Sequence, residues 1–334
     1  MRPIPVAFHI WFLEVHTYGI GLAVTFWFGL RYLERRLRRA GYPWQWVTGM
    51  FLWVIVAAIV GARVMHVIAN FGYYSHHAGQ IIAIWQGGLS SFGGLIAAIP
   101  VGVISARRRC PQIPIGRLAD LVAPVLIASW SLGRLLGPQL MRAGGGHPTN
   151  QWFGMYYADQ VGKRLPVPIF QAFEDFAIFC VLLLVERWLR GVAAARMAPA
   201  GLASAVPTGA GAGGAATGAT EATDDAGAPT TGEPARDPLA GMPPAGIVLG
   251  VALLLWGIER AVDQNLWLSY PGHLGSFLVQ LAGVGIALVG AVVLGFRWRA
   301  LRAWQARGTP GAPDVTPGPP AAVGTNTAPP LAAD

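Results

Sequence analysis

Seven apolar stretches recur along this chain, each about as long as the 20-residue helix needed to cross a bilayer. They lie near 12–31, 48–69, 91–106, 118–138, 168–187, 244–262 and 275–296. Lipid offers a backbone amide no partner, so segments of this kind span it as helices that satisfy their own hydrogen bonds. Composition agrees. Of 334 residues, 54% are hydrophobic and 12% charged, whereas soluble domains carry roughly 25% charged residues. The sequence predicts an all-α membrane protein with seven transmembrane helices. No cleavable signal peptide is expected, because Glu14 and His16 interrupt the first apolar run and no small-residue cleavage site follows.

The net charge of +8 is unevenly placed. Arg31, Arg35, Arg36, Arg38 and Arg39 follow the first stretch, and Arg107, Arg108, Arg109 and Arg117 separate the third from the fourth. Arg187, Arg190 and Arg196 follow the fifth, and Arg297, Arg299, Arg302 and Arg307 follow the seventh. Residues 70–90 and 263–274 contain neither Lys nor Arg. That alternation is the positive-inside pattern, which puts the N-terminus outside and the C-terminus in the cytoplasm. It accounts for the charge without a nucleic-acid partner. Cys110 and Cys180 fall on the cytoplasmic side and inside a span, which suits neither a disulfide nor a metal site.

Four regions follow. Residues 1–196 carry spans one to five, with a small outer cap at 139–167 marked by Trp152, Phe153, Tyr156 and Tyr157. Residues 197–243, rich in Ala, Gly, Thr and Pro, read as a disordered cytoplasmic loop. Residues 244–296 hold spans six and seven, and 297–334 form a basic, then disordered, cytoplasmic tail.

This topology gives the polar residues a depth. Arg63, Arg134 and Arg260 fall toward the outer ends of their spans, level with His16, Tyr18, Ser90, Ser91, Gln171, Glu174 and Asp175. An ionisable group inside a membrane is costly and marks function by default. Three readings stand open: guanidinium groups reaching headgroup water, a structural set of interhelical ion pairs, or a cationic pocket for an anionic lipid headgroup. In the last, guanidinium forks bind phosphate bidentately, with Glu174 and Glu259 orienting the arginines.

Several short motifs, taken together, resemble prolipoprotein diacylglyceryl transferase, a bacterial membrane family. They are Tyr18-Gly19, Gly61-Ala62-Arg63, and Trp85-Gln86-Gly87-Gly88-Leu89-Ser90 followed by Gly93-Gly94. Gly133-Arg134, Gln171-Ala172-Phe173-Glu174 and Arg260 complete the set in the family's order. Phe92 stands where many members have His, and the family's Asn after Gly137 and the acid four residues after Arg260 are replaced.

The resemblance implies transfer of a diacylglyceryl group from phosphatidylglycerol to the lipobox cysteine thiol of a preprolipoprotein, releasing glycerol-1-phosphate. Its partners would be phosphatidylglycerol, the preprolipoprotein signal peptide and membrane lipids, in the bacterial cytoplasmic (inner) membrane. No cofactor and no metal is expected. Tyr18, Arg134 and Arg260 are the implied catalytic residues. Arg63, Ser90, Gly93, Gly94, Gln171 and Glu174 are the implied substrate-binding ones. With Phe92 in place of His, His16 is the leading candidate base by its depth and His147 the next. A paralogue that binds anionic phospholipid or signal peptide without turnover, transfer to another acceptor, and an anion transporter are the rival readings.

Overall fold

The computed structural model describes residues 7–10, 13–83, 90–136, 145–157, 160–197, 239, 241–266 and 273–307, apart from the side chains of 7–18, 91, 92, 273–276 and 278. Most of them are helical. A hairpin of β1 (Ala7–Ile10) and β2 (Leu13–His16) leads into α1 (Thr17–Arg39). Then come α2 (Trp46–Ala69), the short α3 (Phe71–Tyr74) and a 3-10 turn at Ala78–Gln80. After these follow α4 (Ser91–Arg109), α5 (Ile115–Leu136), β3 (Met155–Tyr156) and β4 (Lys163–Arg164). The chain closes with α6 (Val167–Met197), α7 (Ile247–Asp263) and α8 (His273–Ala306).

Each of the seven apolar stretches coincides with a long helix. Among the described residues, four segments are long and apolar enough to cross a membrane by length and composition: Trp46–Ala69, Ile115–Leu136, Val167–Met197 and Val279–Ala306. The helices outrun several of the predicted stretches. α1, α6 and α8 continue through Arg39, Arg196 and Arg302, because Arg is a strong helix former and its long stem packs on apolar neighbours. The first stretch differs at its start: residues 13–16 are a strand, and the helix begins at Thr17. Leu-Glu-Val-His alternates apolar and polar residues with the period of a strand, pairing Phe8 with Val15 and His9 with Glu14.

Small residues set the closest helix approaches. A Cβ on Gly61 would lie 2.5 Å from the Gly93 carbonyl, and one on Gly93 would lie 2.4 Å from that of Gly61. α2 and α4 therefore touch backbone to backbone, the use to which membrane helices put glycine. The predicted substrate residues Gly93 and Gly94 stand at this contact, with Gly94 facing the Ala58 carbonyl. The Ser90 N–H donates to the Ala62 carbonyl at 3.0 Å, fixing the entry to α4.

At one end of the bundle, α1 and α4 finish while α2 and α5 begin. Leu33, Leu37, Val47, Ala106, Cys110 and Leu118 form a buried cluster there. Burial pushes the Cys110 thiol up, away from reactive thiolate, and both cysteines are free. Arg36 bridges three helices at this end. It pairs with Glu186 of α6, and its Nε donates to the Leu121 carbonyl of α5 at 2.8 Å. α7 is anchored here too. Asp120 of α5 accepts the Gly246 N–H at 2.6 Å and the Leu249 N–H at 2.9 Å, capping the helix from a different segment. Gly246 has φ +101°, a conformation that favours glycine.

Near the other end, β3 and β4 pair within the 139–167 segment, and burial pushes the Tyr157 phenol up to about 12. Two short strands and a bridge from Pro148 to Arg164 organise the described part of this segment. Residues 198–238 and 308–334 lie outside the described residues.

The cross-segment cap makes a prediction. Asp120→Ala removes both bonds to the α7 N-terminus and should cost about 1–2 kcal/mol of stability, read as a lower melting temperature in detergent micelles. An unchanged melting temperature would show that α7 docks without it.

Candidate active site

α5 and α7 end on the same motif, Trp130-x-x-x-Arg134 and Trp256-x-x-x-Arg260. Four-residue spacing puts ring and guanidinium on one helix face. Each arginine lies over its own tryptophan: Arg134 Cζ is 5.6 Å from the Trp130 ring centre, and Arg260 Cζ is 5.8 Å from that of Trp256. The two rings meet edge to face, with centroids 5.4 Å apart and planes at 81°. Two cations are thereby brought side by side, each held by a π-face, despite their mutual repulsion.

Carboxyl groups make that arrangement possible. Glu259 Oε1 accepts from Arg260 Nη2 at 2.7 Å, and Asp263 Oδ2 stands 4.0 Å from the same nitrogen. Asp175, fully buried on the first turns of α6, interacts electrostatically with Glu259, Arg260 and Arg134. Glu174, on the exposed side of the same turn, lies against Asp263. Glu174, Asp175, Glu259 and Asp263 thus surround Arg134 and Arg260, and acids outnumber guanidinium groups. The Glu174, Glu259 and Asp263 oxygens lie within 4.8 Å of one another, a spacing a cation could use. Arg260 already stands against two of those three.

The site has unused hydrogen-bonding capacity. Among the described residues, no partner is found for either Asp175 oxygen, Glu259 Oε2, Arg260 Nε or the amide of Gln171. Gln171 is completely buried one turn before Asp175, beside the bond from Ser131 Oγ to the Ala172 carbonyl at 2.7 Å. A buried polar group left unsatisfied costs about 1–3 kcal/mol. Such costs concentrate at sites that handle ligands or charge.

The predicted residues divide accordingly. Arg134, Arg260, Gln171 and Glu174 gather where α5 and α7 end and α6 begins. The described bonds of Arg63 go elsewhere: Nε donates to the Ile81 carbonyl at 2.8 Å, Nη2 to that of Gln80 at 2.6 Å, and Cζ lies 5.4 Å from the Tyr74 ring centre. Its fork organises the turn after α2. His147 Nε2 lies 3.1 Å from the Asn265 carbonyl and the His147 N–H donates to the Leu266 carbonyl, so this segment ties down the end of α7. The side chains of His16, Tyr18 and Phe92, and all of Trp85–Leu89 and Gly137–Gly144, lie outside the described residues. Trp130 and Trp256 escaped the sequence reading, although the repeated Trp-x-x-x-Arg was there to be seen.

Removing one member of a buried ion pair leaves its partner uncompensated, at about 3–5 kcal/mol. Arg260→Met should therefore lower the melting temperature sharply, and adding Glu259→Gln should restore part of the loss. No restoration would mean that the two are not energetically paired.

Comparison with known proteins points the same way. Residues 5–203 match the prolipoprotein diacylglyceryl transferase family. The phosphatidylglycerol–prolipoprotein diacylglyceryl transferase of Bacillus velezensis is 30% identical over 197 residues, covering 55% of this chain and 70% of that protein. The enzyme of the same name from Geobacillus kaustophilus is 29% identical over 196 residues, covering 56% and 70%. That from Bacillus licheniformis is 38% identical over 130 residues, covering 39% and 47%. With more than half its length matched and its paired arginines inside a helix bundle, this chain belongs to the prolipoprotein diacylglyceryl transferase family.

Proposed function

We propose that this protein moves a diacylglyceryl group from phosphatidylglycerol to the lipobox cysteine of a preprolipoprotein, at the outer side of the bacterial inner membrane. In this reading all seven long helices span the bilayer. The N-terminus and the 139–167 cap lie outside, while the 197–243 loop and the tail are cytoplasmic. The positive-inside distribution of arginine supports that orientation.

The observation that carries the proposal is the adjacent Arg134 and Arg260 at the outer ends of α5 and α7. Transfer requires the cysteine sulfur to attack the glyceryl carbon that bears the phosphate. The carbon–oxygen bond breaks, and glycerol-1-phosphate leaves with the bonding pair. Negative charge grows on the departing phosphate oxygen as this happens. Two guanidinium groups fixed beforehand in a low-dielectric site stabilise it without reorganising. Glu259 and Asp263 hold Arg260 in place for that task. The thiol proton passes to a base, for which His16 is the proposed group, with Tyr18 beside it in the chain. Arg63, Ser90, Gly93 and Gly94 shape the cleft through the α2–α4 contact, and Gln171 and Glu174 line it from α6.

Arg134→Ala should lower transfer to a lipobox peptide in phosphatidylglycerol micelles by about a hundredfold or more. Arg134→Lys should remain severely impaired, because a point charge does not reproduce the fork. Normal transfer by Arg134→Ala would overturn the phosphate clamp.

A further inference from the structure

We propose a second lipid site, at the far end of the bundle from Arg134 and Arg260. The groove between the start of α2 and the end of α4 binds one anionic phospholipid, with its phosphodiester against Arg108 and Arg109.

The groove encloses about 540 Å³. Met50, Trp53, Val101 and Ile104 supply an apolar lining suited to acyl chains, and Trp46 stands at the entry to α2. Trp46 Nε1 is committed to the Pro43 carbonyl at 2.8 Å, the half-apolar, half-polar setting that tryptophan takes at a membrane interface. Arg108 and Arg109 are exposed at the last turn of α4 and border the same space.

Arg108 and Arg109 stand side by side on the rim of this groove. Three arginines at this end are committed elsewhere: Arg36 to Glu186, Arg117 to the Pro243 carbonyl at 3.0 Å, and Arg31 to Glu34 at 3.0 Å. Among the described residues, Arg108 and Arg109 have no ion-pair partner. The neighbouring groove, of about 320 Å³, differs in holding a carboxylate: Glu34 stands among Arg31, Arg35 and Arg38 and pairs with Arg31. Two adjacent unneutralised guanidinium groups over an apolar slot match a phosphodiester carrying two acyl chains. Basic residues at a cytoplasmic helix end also satisfy topology alone, but topology does not require a groove beneath them. The assignment to the cytoplasmic leaflet rests on the orientation proposed above; the site itself does not.

Native mass spectrometry of the full chain tests this, after release from micelles doped with phosphatidylglycerol or, in parallel, phosphatidylcholine. Wild type should retain two phosphatidylglycerol molecules, one at each site. Arg108→Gln/Arg109→Gln should retain one, its affinity at the groove falling about tenfold or more. Ser105→Trp, which fills the groove and keeps both arginines, should lose the same lipid. Equal retention by the double variant and wild type, or of phosphatidylcholine as well as phosphatidylglycerol, would overturn the site. If wild type holds one lipid that Arg134→Ala keeps and the double variant loses, the groove stands and the catalytic clamp fails.

Discussion

Arg260 is 11% exposed, and a guanidinium that far from water has to be neutralised where it lies. Much else at that end of the bundle follows from meeting this demand. Glu259 answers it from the neighbouring position and Asp263 from one turn further on. Asp175 answers it from α6, which obliges α6 to start beside the ends of α5 and α7. The arginine's other face rests on Trp256, and that ring on Trp130, so the second cation is placed by the same contacts that hold the first. Charge, aromatic packing and helix arrangement form one linked solution.

The opposite end is built on a different principle. There the helices are held by an apolar cluster and by polar clamps that each use a single charge against backbone or one partner. Asp120 caps α7, Arg117 takes the Pro243 carbonyl, and Arg36 joins α1, α5 and α6. These clamps matter because α7 follows a long Ala/Gly/Thr/Pro-rich segment. Local sequence does not position α7; Asp120, from 126 residues earlier, does.

The helices were legible from the sequence because apolar length alone dictates them. Boundaries were less so: residues 13–16 carry a strand's alternation inside an apolar run, and arginines prolong α1, α6 and α8 past their apolar stretches. In the site, Arg134, Arg260, Gln171 and Glu174 were identified and do come together. Arg63 shares their depth. Its fork turned to the carbonyls of Gln80 and Ile81, whose direction no spacing reveals. No acid stands four residues after Arg260, but Glu259 and Asp263 lie near its Nη2 from other positions on the helix. Gly93 and Gly94, which the resemblance marks as substrate-binding, stand at the α2–α4 contact.

The central claim is that the Arg134–Arg260 site performs chemistry on a phospholipid. The most direct measurement incubates the purified wild-type protein with a lipobox peptide in phosphatidylglycerol micelles and weighs the peptide by mass spectrometry. The account predicts a gain of one diacylglyceryl group on the cysteine, with release of glycerol-1-phosphate. An unmodified peptide, in a preparation where a related enzyme modifies it fully, would contradict the account.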